Sequence, residues 1–123
     1  MIARILVTGS RSWTDREVIY GALAQVWGEC RTIGVDALLV HGACSSGADA
    51  LADQVWQQAG LPVEPHPADW RTHGKSAGFQ RNQEMVDLGA ALCLAFIKDG
   101  SRGATHCAAA ADRAGIIVRR YLA

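Results

Sequence analysis

No stretch of this chain approaches the ~18 consecutive apolar residues that a membrane-crossing helix requires. No secretory leader is expected either, because the apolar run from Met1 to Thr8 is interrupted by Arg4 and no cleavage site follows. These two absences predict a cytoplasmic protein without membrane contact. There is no excess of either charge: twelve basic residues stand against twelve acidic ones. The chain therefore lacks the overall positive field with which general duplex-DNA binders gather phosphates, although a local basic patch is compatible with that balance. Cys30, Cys44, Cys93 and Cys107 include no CxxC pair. That spacing excludes the usual zinc motifs and reads, in a reducing compartment, as four free thiols. No metal is expected, and 123 residues bury enough surface to fold without a metal or disulfide. Internal repeats, low-complexity tracts and a second domain are likewise absent, which leaves one domain over residues 1–123.

What is present is an alternation of β-rich apolar runs with helical patterns, the signature of βαβ units around a parallel sheet. Five strands are predicted, at Ala3 to Thr8, Ala37 to His41, Pro62 to His66, Ala91 to Phe96 and Ile116 to Arg120. Runs such as Ile5, Leu6 and Val7 are continuous rather than alternating, as expected of strands covered on both faces. Four helices are predicted between them. The first spans Asp15 to Cys30 with Thr14 as cap; the second runs from a cap at Ser45 or Ser46 to Ala59; the third spans Ser76 to Leu88 and the fourth Ala104 to Ala114. Right-handed crossovers then give an α/β, Rossmann-like three-layer sandwich with strand order 3-2-1-4-5. Ligands of such sheets sit beyond the carboxyl ends of the strands, at the point where the order reverses.

Three small-residue loops fall at that edge. Thr8-Gly9-Ser10-Arg11-Ser12-Trp13 follows the first strand, where Gly9 permits a tight turn and Arg11 offers a forked cation to phosphate. Trp13 is read either as part of the site or as a lid packed over the sheet edge. After the second strand, His41-Gly42-Ala43-Cys44-Ser45-Ser46-Gly47-Ala48-Asp49 brings small residues and hydroxyls to a helix start. His41 is either a site residue or a satisfied strand-end histidine, and Asp49 either a functional acid or a complement to the helix dipole. Gly100, Ser101, Gly103 and Ala104 repeat the pattern after the fourth strand. The long connection from Pro67 to Lys75 carries Trp70, which either stacks on a base or packs on the protein, together with Lys75. Beyond it, Gly78, Arg81, Asn82 and Met85 share one helix face and read as a wall of the site. None of the loops is a Walker loop or a GxGxxG fingerprint, which disfavours ordinary ATPases and dinucleotide dehydrogenases.

Taken together, Gly9-Ser10-Arg11 with Trp13, His41-Gly42 with Gly47-Ala48-Asp49, Ala68-Asp69-Trp70, Gly74-Lys75 with Ala77-Gly78, Arg81-Asn82 with Met85, and Gly100 to Ala104 resemble the SLOG superfamily, specifically its YspA-type branch, which is related to YpsA. The superfamily also includes the cytokinin-activating LOG proteins and, more distantly, DprA. The resemblance covers nearly the whole chain and implies a Rossmann-like fold and a nucleotide-type ligand. In LOG enzymes a PGGxGTxxE motif supplies a glutamate that works with an arginine in phosphoribohydrolase chemistry. Laid on that motif, this chain has Ser101 for glycine, Ala104 for threonine and Cys107 for the glutamate, while Arg81 matches the arginine. The exchange at Cys107 argues against that reaction, whose oxocarbenium-like transition state needs a nearby carboxylate.

The first functional expectation is therefore binding or sensing of a nucleotide, or of a nucleotide-derived phosphate, with no cofactor required. The alternative is a hydrolase of a nucleotide N-glycosidic or phosphate bond using Asp49, Asp69 or Glu84, with Asp49 the first choice. Single-stranded nucleic-acid binding along Arg11, Lys75, Arg81 and Arg102 is a lesser alternative that the zero net charge disfavours. Trp27 and Trp56 are read either as exposed rings that serve a homodimer contact or as rings that simply pack on the sheet.

Overall fold

The computed structural model describes residues 1–123. Its elements run β1 (Ile2–Gly9), α1 (Arg16–Thr32), β2 (Asp36–His41), α2 (Gly47–Gln58), β3 (Val63–Pro65), α3 (Trp70–His73), a 3₁₀ turn at Gly74–Ser76, α4 (Ala77–Asp87), β4 (Leu92–Ile97), α5 (Arg102–Arg113) and β5 (Ile117–Leu122). The five strands form one all-parallel sheet in the order β3-β2-β1-β4-β5, the Rossmann-like arrangement that the alternating pattern predicts. No helix is long and apolar enough to cross a membrane.

Strand pleating sends neighbouring side chains to opposite layers. Ile5 and Val7 of β1 join Leu39, Leu94 and Phe96 under α1 and α2, where Ile19, Leu23, Val26 and Trp56 complete the larger core. Leu6, Val40 and Cys93 face the other way, onto Met85 and Val86 of α4 and Cys107 and Ala111 of α5. All six residues of β4 are buried, which explains its unbroken apolar sequence. Each large aliphatic or aromatic side chain so buried contributes roughly 1.5–3 kcal/mol.

Two local readings are corrected by the structure, and two others, left open between alternatives, are decided. The cap of α1 is Asp15 rather than Thr14: its carboxylate accepts from the Val18 amide, and the helix continues to Thr32. The connection after β3 is largely helical. There Asp69 caps α3 by accepting from the Thr72 amide, so the polar density of this stretch reflects capping as well as a site. Trp56 is not exposed; it is 2% accessible, with its indole N–H donating to the Pro62 carbonyl (2.9 Å), and cannot serve a dimer contact. Trp27 is 43% accessible with the Arg31 guanidinium over its ring. Finally, Trp13 is buried edge-on against Phe96, and its indole N–H donates to the Asp15 carbonyl.

Candidate functional site

The carboxyl edge of the sheet is held together by contacts between its own loops. Ser10 is almost wholly buried; its hydroxyl accepts from the Lys98 amide (2.8 Å) and donates to the Lys98 carbonyl (3.4 Å), tying the end of β1 to the end of β4. Its carbonyl accepts from the amides of Trp13 and Ala48. The β2–α2 loop is pressed onto this segment. Gly47 has φ +75°, and a β-carbon there would lie 2.3 Å from the Ser10 carbonyl oxygen, so only glycine fits. At Gly9 a β-carbon would meet that of Ala48 at 2.2 Å. These two glycines let protein pack on protein.

Arg81 enters from α4 and is 8% accessible. Its Nη1 donates to the carbonyls of Gly42 and His66, and its Nε donates to Asn82 Oδ1 (2.8 Å), while Nη2 has no protein acceptor. Asn82 in turn donates to the Gly103 carbonyl (3.4 Å), linking α4 to the start of α5. The Gly42 amide donates to Asp49 Oδ2 (3.0 Å), but Asp49 Oδ1 is buried without a partner. Burial pushes the Asp49 carboxyl above the ordinary carboxylate range, and the Arg81 charge and Gly42 amide offset this only in part. His41 is buried beside the same loop. The Ala43 amide donates to its Nδ1 (2.9 Å), so Nε2 carries the proton and donates to Asp53 Oδ2 (2.6 Å). That tautomer braces Ala43, which adopts a left-handed φ of 57°.

Between these walls opens a crevice of about 420 Å³. It is lined by Thr8, Gly9, Ser10, Arg11 and Ser12 from β1 and its loop, by Cys44 and Asp49 after β2, by Trp70 and Lys75, by Gly78, Phe79, Arg81, Asn82 and Met85 of α4, and by Ser101, Gly103 and Ala104 at α5. Arg11, Lys75 and Arg81 are cationic and Asp49 is the one acid, so the cavity is locally positive although the chain is neutral overall. The Ser101 side chain makes no cap bond, which leaves the first-turn amides of α5 open. Trp70 and Phe79 are partly exposed at the rim, with the Arg11 guanidinium 5.8 Å from the Trp70 ring centre.

Most of the residues expected at the site thus converge on one cavity. Gly42 lies in an adjoining hollow with Ala43, Cys44, Ser45 and Ser46. Trp13, His41, Gly47, Ala48 and Gly100 line neither space. Of the three candidate acids, Asp69 is spent as a cap and Glu84 is exposed on α4, so Asp49 alone reaches the crevice. Cys107 is fully buried, its thiol pushed up to about 11 by desolvation, and it does not line the cavity. Thr8, Ser12, Cys44 and Phe79 were not expected among the lining residues. Three of them neighbour predicted ones in the same loops, and Phe79 follows Gly78 on α4.

Three comparisons bear on this geometry. The family model described as "YAcAr: YspA, cpYpsA-related SLOG family" matches residues 3–73. The chain is also similar to Gene 61 protein of Mycobacterium phage D29, with 46% identity over 123 residues that cover 96% of this chain and 95% of the phage protein. No solved structure matches it.

Proposed function

The chain belongs to the YspA, cpYpsA-related SLOG family, and with that premise we propose that its crevice binds a nucleotide or a nucleotide-derived phosphate as a sensor or carrier in the cytoplasm. One observation carries the reading: three cationic side chains and an uncapped helix start surround a cavity with aromatic rings at its rim. Phosphate suits the open amides of α5 and the forked Arg81, whose Nη2 has no protein acceptor. Trp70 and Phe79 offer faces on which a base can stack. The cavity volume falls within the ~300–1,000 Å³ range of small-molecule sites.

A thermal-denaturation panel of nucleoside mono-, di- and triphosphates, cyclic nucleotides and ADP-ribose tests the reading. A bound member at one hundred times its dissociation constant should add about 2.7 kcal/mol. A flat panel would overturn the proposal. Release of base or phosphate at high protein concentration would convert the binder into a hydrolase with Asp49 as its acid. Salt-sensitive retardation of oligonucleotides, with no response to mononucleotides, would replace it with a single-strand binder.

A further inference from the structure

The buried carboxylate of Asp49 is satisfied on one side only. Oδ2 takes the Gly42 amide, whereas Oδ1 is buried with no hydrogen-bond partner, and the residue lines the crevice at 5% accessibility. The neighbouring Cys44 thiol interacts with the carboxylate, but a thiol is a weak donor and Oδ1 is left without a full hydrogen bond. An unpaired buried acceptor of this kind calls for a donor. Holding the Gly42 amide does not require an acid, since the carbonyl of an asparagine would accept the same bond. Complementing the α2 dipole does not require burial.

The surroundings narrow the missing donor. Arg11, Lys75 and Arg81 line the same cavity, so a metal ion or a cationic group would meet three like charges and a single carboxylate. A neutral donor fits. Phosphate is repelled by Asp49 and drawn instead to the α5 amides, which lie across β1 from it. Two parallel-strand spacings place these points roughly 10 Å apart. A base amine belongs with the flat rings of Trp70 and Phe79, which are partly exposed at the rim, whereas Asp49 is buried. The group that travels with a phosphate and donates without charge is a sugar hydroxyl.

We propose that Asp49 Oδ1 accepts a hydrogen bond from a ribose hydroxyl of the ligand, so that the crevice selects ribonucleotides over their deoxy counterparts. This assignment rests on the nucleotide reading above. It is tested by titration calorimetry with whichever ribonucleotide in the panel binds, set against its 2′-deoxy and 3′-deoxy forms. Loss of the hydroxyl that meets Asp49 should weaken binding about tenfold to a hundredfold. Asp49→Asn keeps an acceptor for the Gly42 amide but presents an N–H to the hydroxyl, so the charged bond becomes a neutral one and the preference for ribo over deoxy forms should fall about fivefold to tenfold, with little change in melting temperature. Equal affinity of the wild-type protein for ribo and both deoxy forms would overturn the assignment while leaving nucleotide binding intact. Undiminished discrimination by the Asn variant would do the same. Failure of every ribonucleotide to bind would overturn both.

Discussion

Gly42 and Arg81 compete for one volume: a β-carbon on Gly42 would stand 2.6 Å from the guanidinium carbon whose Nη1 donates to the Gly42 carbonyl. The Gly42 amide meanwhile holds Asp49. One residue without a side chain thus seats both the buried cation and the buried acid of the crevice.

Gly42→Ala should consequently be a functional lesion more than a structural one. The obstructing group is the flexible end of an arginine, so Arg81 can swing aside at the cost of its carbonyl contacts, about 1–2 kcal/mol. Gly47→Ala instead meets the Ser10 and Arg11 backbone in a left-handed conformation and should cost about 3 kcal/mol or more. Urea midpoints of the two variants, measured beside nucleotide affinity, check the contrast; equal midpoints would contradict it.

Arg81→Lys keeps the charge but offers one nitrogen where three contacts now exist, to Gly42, His66 and Asn82. The expected result is a stability loss of about 1–3 kcal/mol and nucleotide affinity reduced at least tenfold. Calorimetric titration of the purified variant provides the measurement.

Glu64 supplies a pH dependence remote from the crevice. Hydrogen bonds from Arg4 and then His66, with Arg4 Nη2 at 2.5 Å and His66 Nε2 at 2.6 Å, hold its carboxyl down to about 2 from its ordinary value of 4.5. A carboxylate depressed in the folded state stabilises fully above the unfolded value. That contribution is lost as pH falls from about 4.5 to about 2. The side chain is 36% accessible, so screening limits the effect to about 1 kcal/mol. Glu64→Gln should lower stability at pH 7 and flatten the acid limb between these values; a variant whose acid limb overlays the wild type would refute the pairing.

The tryptophans of α1 and α2 should behave oppositely. Trp56→Ala removes a buried ring and its bond to Pro62, at about 3–5 kcal/mol. Trp27→Ala removes a half-exposed ring under Arg31, at about 1 kcal/mol or less. Denaturant titration distinguishes them, and quenching by iodide should act on Trp27 but not on Trp56.

The tryptophans also mark where the sequence stops being informative. Continuous apolar runs, helix periodicity and terminal glycines determine strand order and helix faces, because these depend on local pattern and chain handedness. The edge bearing the crevice follows from the same rules. Partner choice does not. Trp56 and Trp27 are equally amphipathic on paper, and only the packing of α2 on the sheet separates them. Ser10 reads only as a small polar residue of the first loop, and its bond to Lys98, 88 positions away, is not legible there. Gly42 looks like room for a ligand, yet Arg81, 39 positions on, fills that room. Asp69 looks like a candidate acid, yet its carboxylate caps α3 by accepting from the Thr72 amide.

The Ser10 clamp on Lys98 gives the two sides of the crevice unequal stiffness. The β1 and β4 ends are stapled through a buried hydroxyl and move as one jamb. The opposite side is a four-residue helix and a 3₁₀ turn with no buried residue between them, anchored at its start by a solvent-facing cap. The segment from Trp70 to Ser76 is thus the more yielding wall of the crevice, a door set against that jamb. Backbone amide exchange should accordingly be slow at Lys98 and fast across the door, slowing there when the crevice is filled.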